Sequence, residues 1–362
     1  MKVLYIVDHA GGGGAQTLAK AICGRRKGSY YYALRRKGNG PQISGENFFC
    51  RDSRSRFDVR SLFELKRIIK EKNINILHCQ LVKSFVTGYL LKKLFFRNIK
   101  LIFHEQGKIF RKQFFYTLFL RSTRGEVDRF IACSEATKRK LTEFAGISAR
   151  EVEVVYNCVD LDTFGSGRDF REERESMGIR ENCFVAGFAG RLVRRKGWEE
   201  FIKAGKIVSG RHADFRLLIA GDGPDRGRML DLAEKLQISD RVVYLGGVDR
   251  MARFYGLLNC FVIPSHWEPM GMVAIEAQAC GIPVIASDVE GLNEIVVDGE
   301  NGLLFTAKKE KELAEKIILL RTDGGISGRL SENGLKNIDR YSLNNYLEKT
   351  GRIYEKVLKW GT

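Results

Sequence analysis

Proline is scarce in this chain, five residues in 362, so no Pro-rich linker separates its parts. Long apolar runs are missing as well. The greasiest stretches, residues 85–96 and 114–120, are short or broken by Lys92 and Lys93, whereas a bilayer-spanning helix needs about 20 apolar residues. Lys2 is followed by only five apolar residues, Val3 to Val7, before Asp8, too few for the core of a secretory leader. The five histidines form no cluster in the sequence, so no metal site is expected. Cysteine is present, but no Cys-x-x-Cys pair: Cys23, Cys50, Cys79, Cys133, Cys158, Cys183, Cys260 and Cys280 are scattered among mostly apolar neighbours. They read as reduced, buried small hydrophobes of a cytosolic protein and not as a disulfide framework.

At roughly 150 residues per domain the length predicts two domains, each large enough for its own core. Hydrophobic residues at 44% and charged residues at 29% fit a globular chain. The net charge of +17 is unevenly placed. Residues 1–165 carry 31 Lys and Arg against 15 Asp and Glu, while the rest is nearly balanced at 30 against 29.

Short apolar runs alternate with amphipathic ones. The pattern predicts strands over 3–7, 74–79, 101–104, 130–133 and 152–155, with helices over 15–26, 62–72 and 84–94. Residues 164–180 have no apolar period and read as a connector. The alternation then restarts, with strands over 184–187, 215–220, 242–245, 260–264 and 283–286. Helices are expected over 199–208, 226–236, 251–258, 271–280, 292–297 and 310–321. A last helix over 343–359 follows once the alternation has ended. Strands alternating with helices imply right-handed crossovers and parallel sheets. The fold class is therefore α/β: two Rossmann-like, doubly wound domains, 1–164 and 165–341, facing across a cleft. Residues 342–362 are expected to pack back toward the first domain. Ligands of such sheets bind at the carboxyl ends of strands, and the motifs fall there.

Gly11-Gly12-Gly13-Gly14 follows the opening strand. Small residues let a backbone approach a ligand closely and leave N–H groups at the next helix start. No Gly-Lys-Ser/Thr follows, and Gln16 stands where a dinucleotide fingerprint needs its third glycine, so both of those readings fail. Ligand contact at Gly13 and Gly14 and a mere tight turn remain equally open. A second loop, Gly190-Arg191-Leu192-Val193-Arg194-Arg195-Lys196-Gly197, ends another strand. The planar fork of Arg191 and the point charge of Lys196 suit a diphosphate, while Arg194 and Arg195 read as solvated.

The sharpest pattern is Ser265-His266-Trp267-Glu268-Pro269-Met270-Gly271-Met272-Val273-Ala274-Ile275-Glu276. Glu268 lies just before a helix whose first N–H groups, around Met270 to Met272, suit phosphate oxygens. Glu276 follows eight residues later, about 12 Å of rise if all of it is helical. Carboxylates that far apart suit hydroxyls at opposite ends of one ligand better than a single bond-breaking event. Glu276 has apolar neighbours, and a buried acid needs a partner.

Glu268-x7-Glu276, Arg191 with Lys196, the glycine loop and the closing helix together resemble the family-4 retaining glycosyltransferases, over essentially the whole chain. Gly221-Asp222-Gly223-Pro224, Glu276-Ala277-Gln278-Ala279-Cys280-Gly281-Ile282-Pro283-Val284 and Asn301-Gly302-Leu303-Leu304 also match that family's pattern. The resemblance implies the GT-B fold, with acceptor on the first domain and a nucleotide diphosphate sugar on the second. It implies that Arg191 and Lys196 bind the diphosphate, Glu268 the sugar hydroxyls and Glu276 the ribose. Backbone N–H groups at Met270 and Gly271 would meet sugar or phosphate, and Val248, in the loop 246–248, the base. It further implies retention of configuration without a metal or other cofactor. His104, ending a strand, matches the family histidine that contacts the sugar or aligns the acceptor. Gln16 departs from the commoner acidic residue.

The basic excess belongs to the expected acceptor domain. Arg25-Arg26-Lys27, Arg35-Arg36-Lys37 and residues 108–124 stand out, the last with interleaved Phe110, Phe114, Phe115, Tyr116 and Phe119. Basic residues beside aromatics suit an anionic membrane surface or a phosphorylated, lipid-linked acceptor; no specific nucleic-acid motif is visible. The expectation is a hexose transfer to a lipopolysaccharide core or lipid-linked oligosaccharide by a cytoplasmic enzyme at the inner face of the membrane. The rivals are a nucleotide-sugar epimerase of the same fold and a basic membrane- or nucleic-acid-binding protein without catalysis.

Overall fold

The computed structural model describes residues 1–11, 14–35, 45–51, 59–107, 114–165 and 170–359. It divides into two compact units, Met1–Cys158 with Leu343–Thr362, and Val159–Ser342. The first boundary thus falls ahead of the expected residue 164.

The first unit holds β1 (Val3–Val7), β2 (Ser29–Ala33), β3 (Phe48–Cys50), β4 (Ile76–Gln80), β5 (Lys100–Glu105), β6 (Arg129–Ala132) and β7 (Val152–Val154). All pairs are parallel, in the order β3-β2-β1-β4-β5-β6-β7. The order reverses at β1 and β4. The continuous apolar run of β1 is what a strand covered on both faces requires. Leu4, Ile6, Leu77, Phe103 and Phe130 line one face. Val3, Tyr5, Val7, Ile76 and Ile102 line the other, where the closing helix Leu343–Lys359 docks Leu343, Tyr346, Ile353, Tyr354 and Val357. The helix Val59–Lys72 buries Leu65, Ile68 and Ile69 at helical spacing, as expected.

The second unit holds β8 (Phe184–Ala189), β9 (Phe215–Ala220), β10 (Val242–Gly246), β11 (Cys260–Ile263), β12 (Val284–Ser287) and β13 (Leu303–Phe305). Its parallel order is β10-β9-β8-β11-β12-β13, reversing at β8 and β11.

Several expectations are corrected. Residues 292–297 form successive turns and not a helix. Leu292, Ile295 and Val296 are buried as a helix face would be, but Asn301 caps the segment. Its side chain accepts from Val297 N at 2.7 Å and donates to the Ile295 carbonyl at 2.9 Å. β2, β3 and β13 went unread because they are edge or near-edge strands; β3 and β13 have three residues each. The helix Glu135–Ala145 was also unread, although Ser134 caps it and Gly146 ends it at φ +64°. The connector contains a short helix, Arg171–Ser176. All eight cysteines are free, and only Cys50 and Cys280 are not fully buried.

Candidate functional site

In the second unit the two expected loops, after β8 and β11, are tied together, and the family-matching turn Gly221-Asp222-Gly223-Pro224 after β9 joins them. β8 runs into Gly190 and the exposed Arg191. That loop is pinned by the one following β9: Leu192 N donates to the Asp222 carbonyl at 3.0 Å and Asp225 N to the Leu192 carbonyl at 3.1 Å. Gly221, at φ +123°, is required there, since a Cβ would sit 2.0 Å from the Gly190 carbonyl oxygen. A tight turn, Arg194–Lys196, then ends at Gly197, φ +73°, where a Cβ would lie 1.8 Å from the Pro264 carbonyl oxygen. This contact brings the basic turn against the loop after β11. His266 N donates to the Arg195 carbonyl at 2.8 Å, and His266 Nε2 lies 3.0 Å from Glu200 Oε1.

Glu268 sits at the centre, 6% exposed. Its Oε1 accepts from Lys196 Nζ and from Ser265 Oγ, the latter at 2.8 Å. Ser287 Oγ, from the end of β12, donates to the Ser265 carbonyl and holds the loop. Glu268 and Lys196 are therefore direct partners, a pairing the sequence reading did not foresee. Pro269, Met270 and Gly271 lead into the helix Met272–Ala279, whose first N–H groups have no acceptor within the helix. Because helix begins only at Met272, the 12 Å rise inferred between the two glutamates does not apply: Glu268 lies in the loop before it.

Glu276 is half-buried on that helix. Tyr255 OH donates to its Oε2 at 2.8 Å, which is the partner its apolar surroundings demanded. Burial pushes the carboxyl up to about 7, against the opposing pull of that hydrogen bond. Val248 is half-buried just past β10, the edge strand. Of the glycine loop, Gly13 lies outside the described residues, and Gly14 is exposed at the start of the helix Gly14–Arg25. Gln16 is buried, with Nε2 3.3 Å from His9 Nε2.

His104 is in the first unit and fully buried, not open to a ligand from solvent. Its Nδ1 lies 3.2 Å from His78 Nε2, 3.5 Å from Gln106 Nε2 and 3.5 Å from Tyr346 OH. Burial pushes it down to about 3, so the ring is neutral. The chain also carries Asp160-Leu161-Asp162; among the described residues no group of three or more His, Cys, Asp or Glu could hold a metal ion.

The basic clusters prove mixed. Arg36, Lys37 and residues 108–113 lie outside the described residues. Arg26, expected to face a partner, instead serves the closing helix: it donates to the Leu347 carbonyl, and to Thr350 Oγ1 at 3.3 Å, and lies 5.1 Å from the Tyr354 ring centre. Phe119 packs on Phe85 and Tyr89, and Tyr116 OH bonds Glu105. Phe114 and Phe115 are exposed by 64% and 85%.

Residues 169–337 match the family model described as "Glycosyl transferases group 1" and residues 19–163 the model described as "Glycosyltransferase Family 4". The capsular polysaccharide biosynthesis glycosyltransferase CapM of Staphylococcus aureus is 30% identical over 236 residues, 63% of this chain and 62% of that one. The N-acetyl-alpha-D-glucosaminyl L-malate synthase of Bacillus anthracis is 24% identical over 309 residues, 84% and 80% of the two chains. The chain thus spans about three fifths of the first of these relatives and four fifths of the second. In fold it is similar to Anabaena Alr3699/HepE, solved in complex with UDP and glucose, with a TM-score of 0.85, 20% identity, and 98% and 99% of the two chains covered. One glycosyltransferase model thus matches each of the two Rossmann-like domains, and the fold is that of the GT-B glycosyltransferases.

Proposed function

We propose that the protein transfers a hexose from a nucleotide diphosphate sugar to a cell-envelope glycan, with retention of configuration and without a metal. The observation that carries this is the second unit's site: Glu268 held by Lys196 and Ser265, Arg191 exposed on the same loop as Lys196, and Glu276 on the adjoining helix, with the loops at the carboxyl ends of strands where the sheet order reverses. In this reading Arg191 and Lys196 hold the diphosphate and take up the charge of the departing nucleotide. The helix start at Gly271 and Met272 adds N–H donors. Glu268, released from Lys196 as the diphosphate engages it, accepts from sugar hydroxyls, and Glu276 accepts from the ribose. Gly190 gives the backbone room beside the donor, and Val248 lies against the base. The Anabaena neighbour's UDP and glucose support a nucleotide-sugar donor.

The relatives' names point to different acceptors, a capsular polysaccharide in one case and malate in another. The basic first half and the exposed pair Phe114 and Phe115 favour a lipopolysaccharide core or lipid-linked oligosaccharide, met at a membrane surface.

The test is a thermal-shift screen against UDP- and GDP-sugars, with Arg191→Ala and Glu276→Gln alongside. A nucleotide sugar at 100 times its dissociation constant stabilises the folded protein by about 2.7 kcal/mol. A midpoint rise in the wild type that shrinks in both folded variants is expected. No rise with any nucleotide sugar would sink the donor assignment.

A further inference from the structure

Glu276 stands on the helix Met272–Ala279 between apolar neighbours, of which Ala274, Ile275 and Ala277 are fully buried. A carboxyl in such company loses the water that would stabilise its charge, so its hydrogen-bond partner decides its state. Oε2 accepts from Tyr255 OH at 2.8 Å. Glu276 itself is half-buried, and among the described residues its Oε1 accepts no hydrogen bond.

Tyr255 is held in that position from several sides. It is fully buried on the helix Met251–Gly256. The Phe261 ring of β11 stands 5.1 Å away at 89° to it, and Phe164 of the connector closes another side at 6.3 Å. The connector also fixes the helix that carries it. A Cβ on Gly256 would lie 2.0 Å from the Phe170 ring, and Arg253 pairs with Glu173. A ring packed in this way aims its hydroxyl along one line, toward Glu276.

Other charges packed on Met272–Ala279 stay out of the pair. The helix Gly324–Lys336 has Arg329, Glu332 and Lys336 exposed, and residues 338–341 have Asp339 and Arg340 exposed. Tyr341 accepts from Arg340, β11 brings the buried thiol of Cys260, and Cys280 follows the helix near Tyr255. β12, Val284–Ser287, brings no ionisable side chain. Burial raises the Glu276 carboxyl, and among the described residues Tyr255 is the group that opposes it.

We propose that Tyr255 is a positioning residue for the nucleotide: its hydroxyl favours the ionised form of Glu276 and leaves Oε1 to accept from the ribose hydroxyls. This rests on the reading that Glu276 meets the ribose. An ionised carboxyl is a pure acceptor, which suits two neighbouring hydroxyls; once protonated it carries a donor of its own and loses that match. Nucleotide affinity therefore rises with pH as Glu276 ionises, and Tyr255 sets where the rise falls. Both residues belong to the second unit.

The experiment measures UDP and GDP affinity by isothermal titration calorimetry from about pH 6 to pH 9. Wild type, Tyr255→Phe, Glu276→Gln and the double variant are compared. Glu276→Gln carries the nucleotide's own titration and serves as the reference. Relative to it, wild-type affinity is expected to rise about tenfold between about pH 6 and pH 8, as one carboxyl ionises. In Tyr255→Phe the rise moves up by about one pH unit, as loss of one hydrogen bond to a charged group implies. That variant then binds about fivefold more weakly near pH 7 and matches wild type by about pH 9. In the Glu276→Gln background, Tyr255→Phe leaves the pH profile in place.

An equal loss at every pH, or the same loss in both backgrounds, makes Tyr255 a packing residue and overturns the proposal. So does a Tyr255→Phe protein that does not fold, because the scaffold then needs the hydroxyl. A Glu276-dependent rise that Tyr255→Phe does not move overturns the proposal alone and keeps the ribose reading. Nucleotide binding that is the same in wild type and Glu276→Gln at every pH sinks the ribose reading, and the proposal with it. Absence of binding to either nucleotide sinks the donor assignment as well.

Discussion

At the scale of single residues, Lys196 and Glu268 form a pair with little exposure on either side chain. Removing the lysine leaves a buried carboxylate that, among the described residues, keeps the hydrogen bond from Ser265. Lys196→Ala is therefore expected to destabilise the second unit by about 3 kcal/mol, read by urea denaturation. Glu268→Gln in the same background should recover part of the loss, and strictly additive effects would show that the pair is not coupled. Glu276 carries a pH signature. Its carboxyl is raised from 4.5 to about 7, so the folded protein holds this proton more tightly than the unfolded chain does. The stabilisation it brings is whole below about pH 4.5 and is lost as pH rises toward 7. Glu276→Gln should remove that decline, so a wild-type midpoint falling in parallel with the variant's between about pH 5 and pH 8 would refute the raised value. Both glutamates were legible in the sequence because loop and helix positions next to each other carry them. Tyr255 was not: it lies 21 residues before Glu276 and meets it only after β11 and its loop have folded between them.

At the scale of elements, the closing helix Leu343–Lys359 was legible to the residue, because Leu343, Tyr346, Thr350, Ile353, Tyr354 and Val357 recur at helical spacing. What lies under it was not. Tyr354 OH bridges His78 and Tyr5 on two strands of the first sheet. Tyr354→Phe keeps the ring and removes the hydroxyl that His78 Nδ1 meets in the core, which should cost about 1–3 kcal/mol. Faster hydrogen exchange across Leu343–Lys359 would report it, and unaltered exchange would count against the bridge. The helix Glu135–Ala145 had its signals in plain view, Ser134 at one end and Gly146 at the other. The segment 292–297 had the reverse, an apolar period with a stop supplied by Asn301 from outside the pattern.

At the scale of the molecule, nearly all the excess positive charge lies in the first half, and Phe114 and Phe115 are exposed there. No described helix is long and apolar enough to cross a membrane. Sedimentation with vesicles containing anionic lipid should therefore show binding that weakens as salt is raised. The double variant Phe114→Ser, Phe115→Ser should weaken it at least about tenfold, given roughly 1.5–3 kcal/mol for each buried phenylalanine. Equal binding by wild type and double variant would remove the membrane from the account.

Local pattern by itself determined the α/β class, the two-domain plan, ten of the thirteen described strands and the segments that bear Arg191, Lys196, Glu268 and Glu276. Hydrophobic period and strand-end position are properties of neighbouring residues, so one dimension suffices to read them. Tertiary structure alone decided the partners: Lys196 with Glu268, Tyr255 with Glu276, and Arg26 with the closing helix. Those pairings join residues from 21 to 324 positions apart. Nothing in local sequence encodes them, because they exist only where parallel strands from distant parts of the chain end side by side.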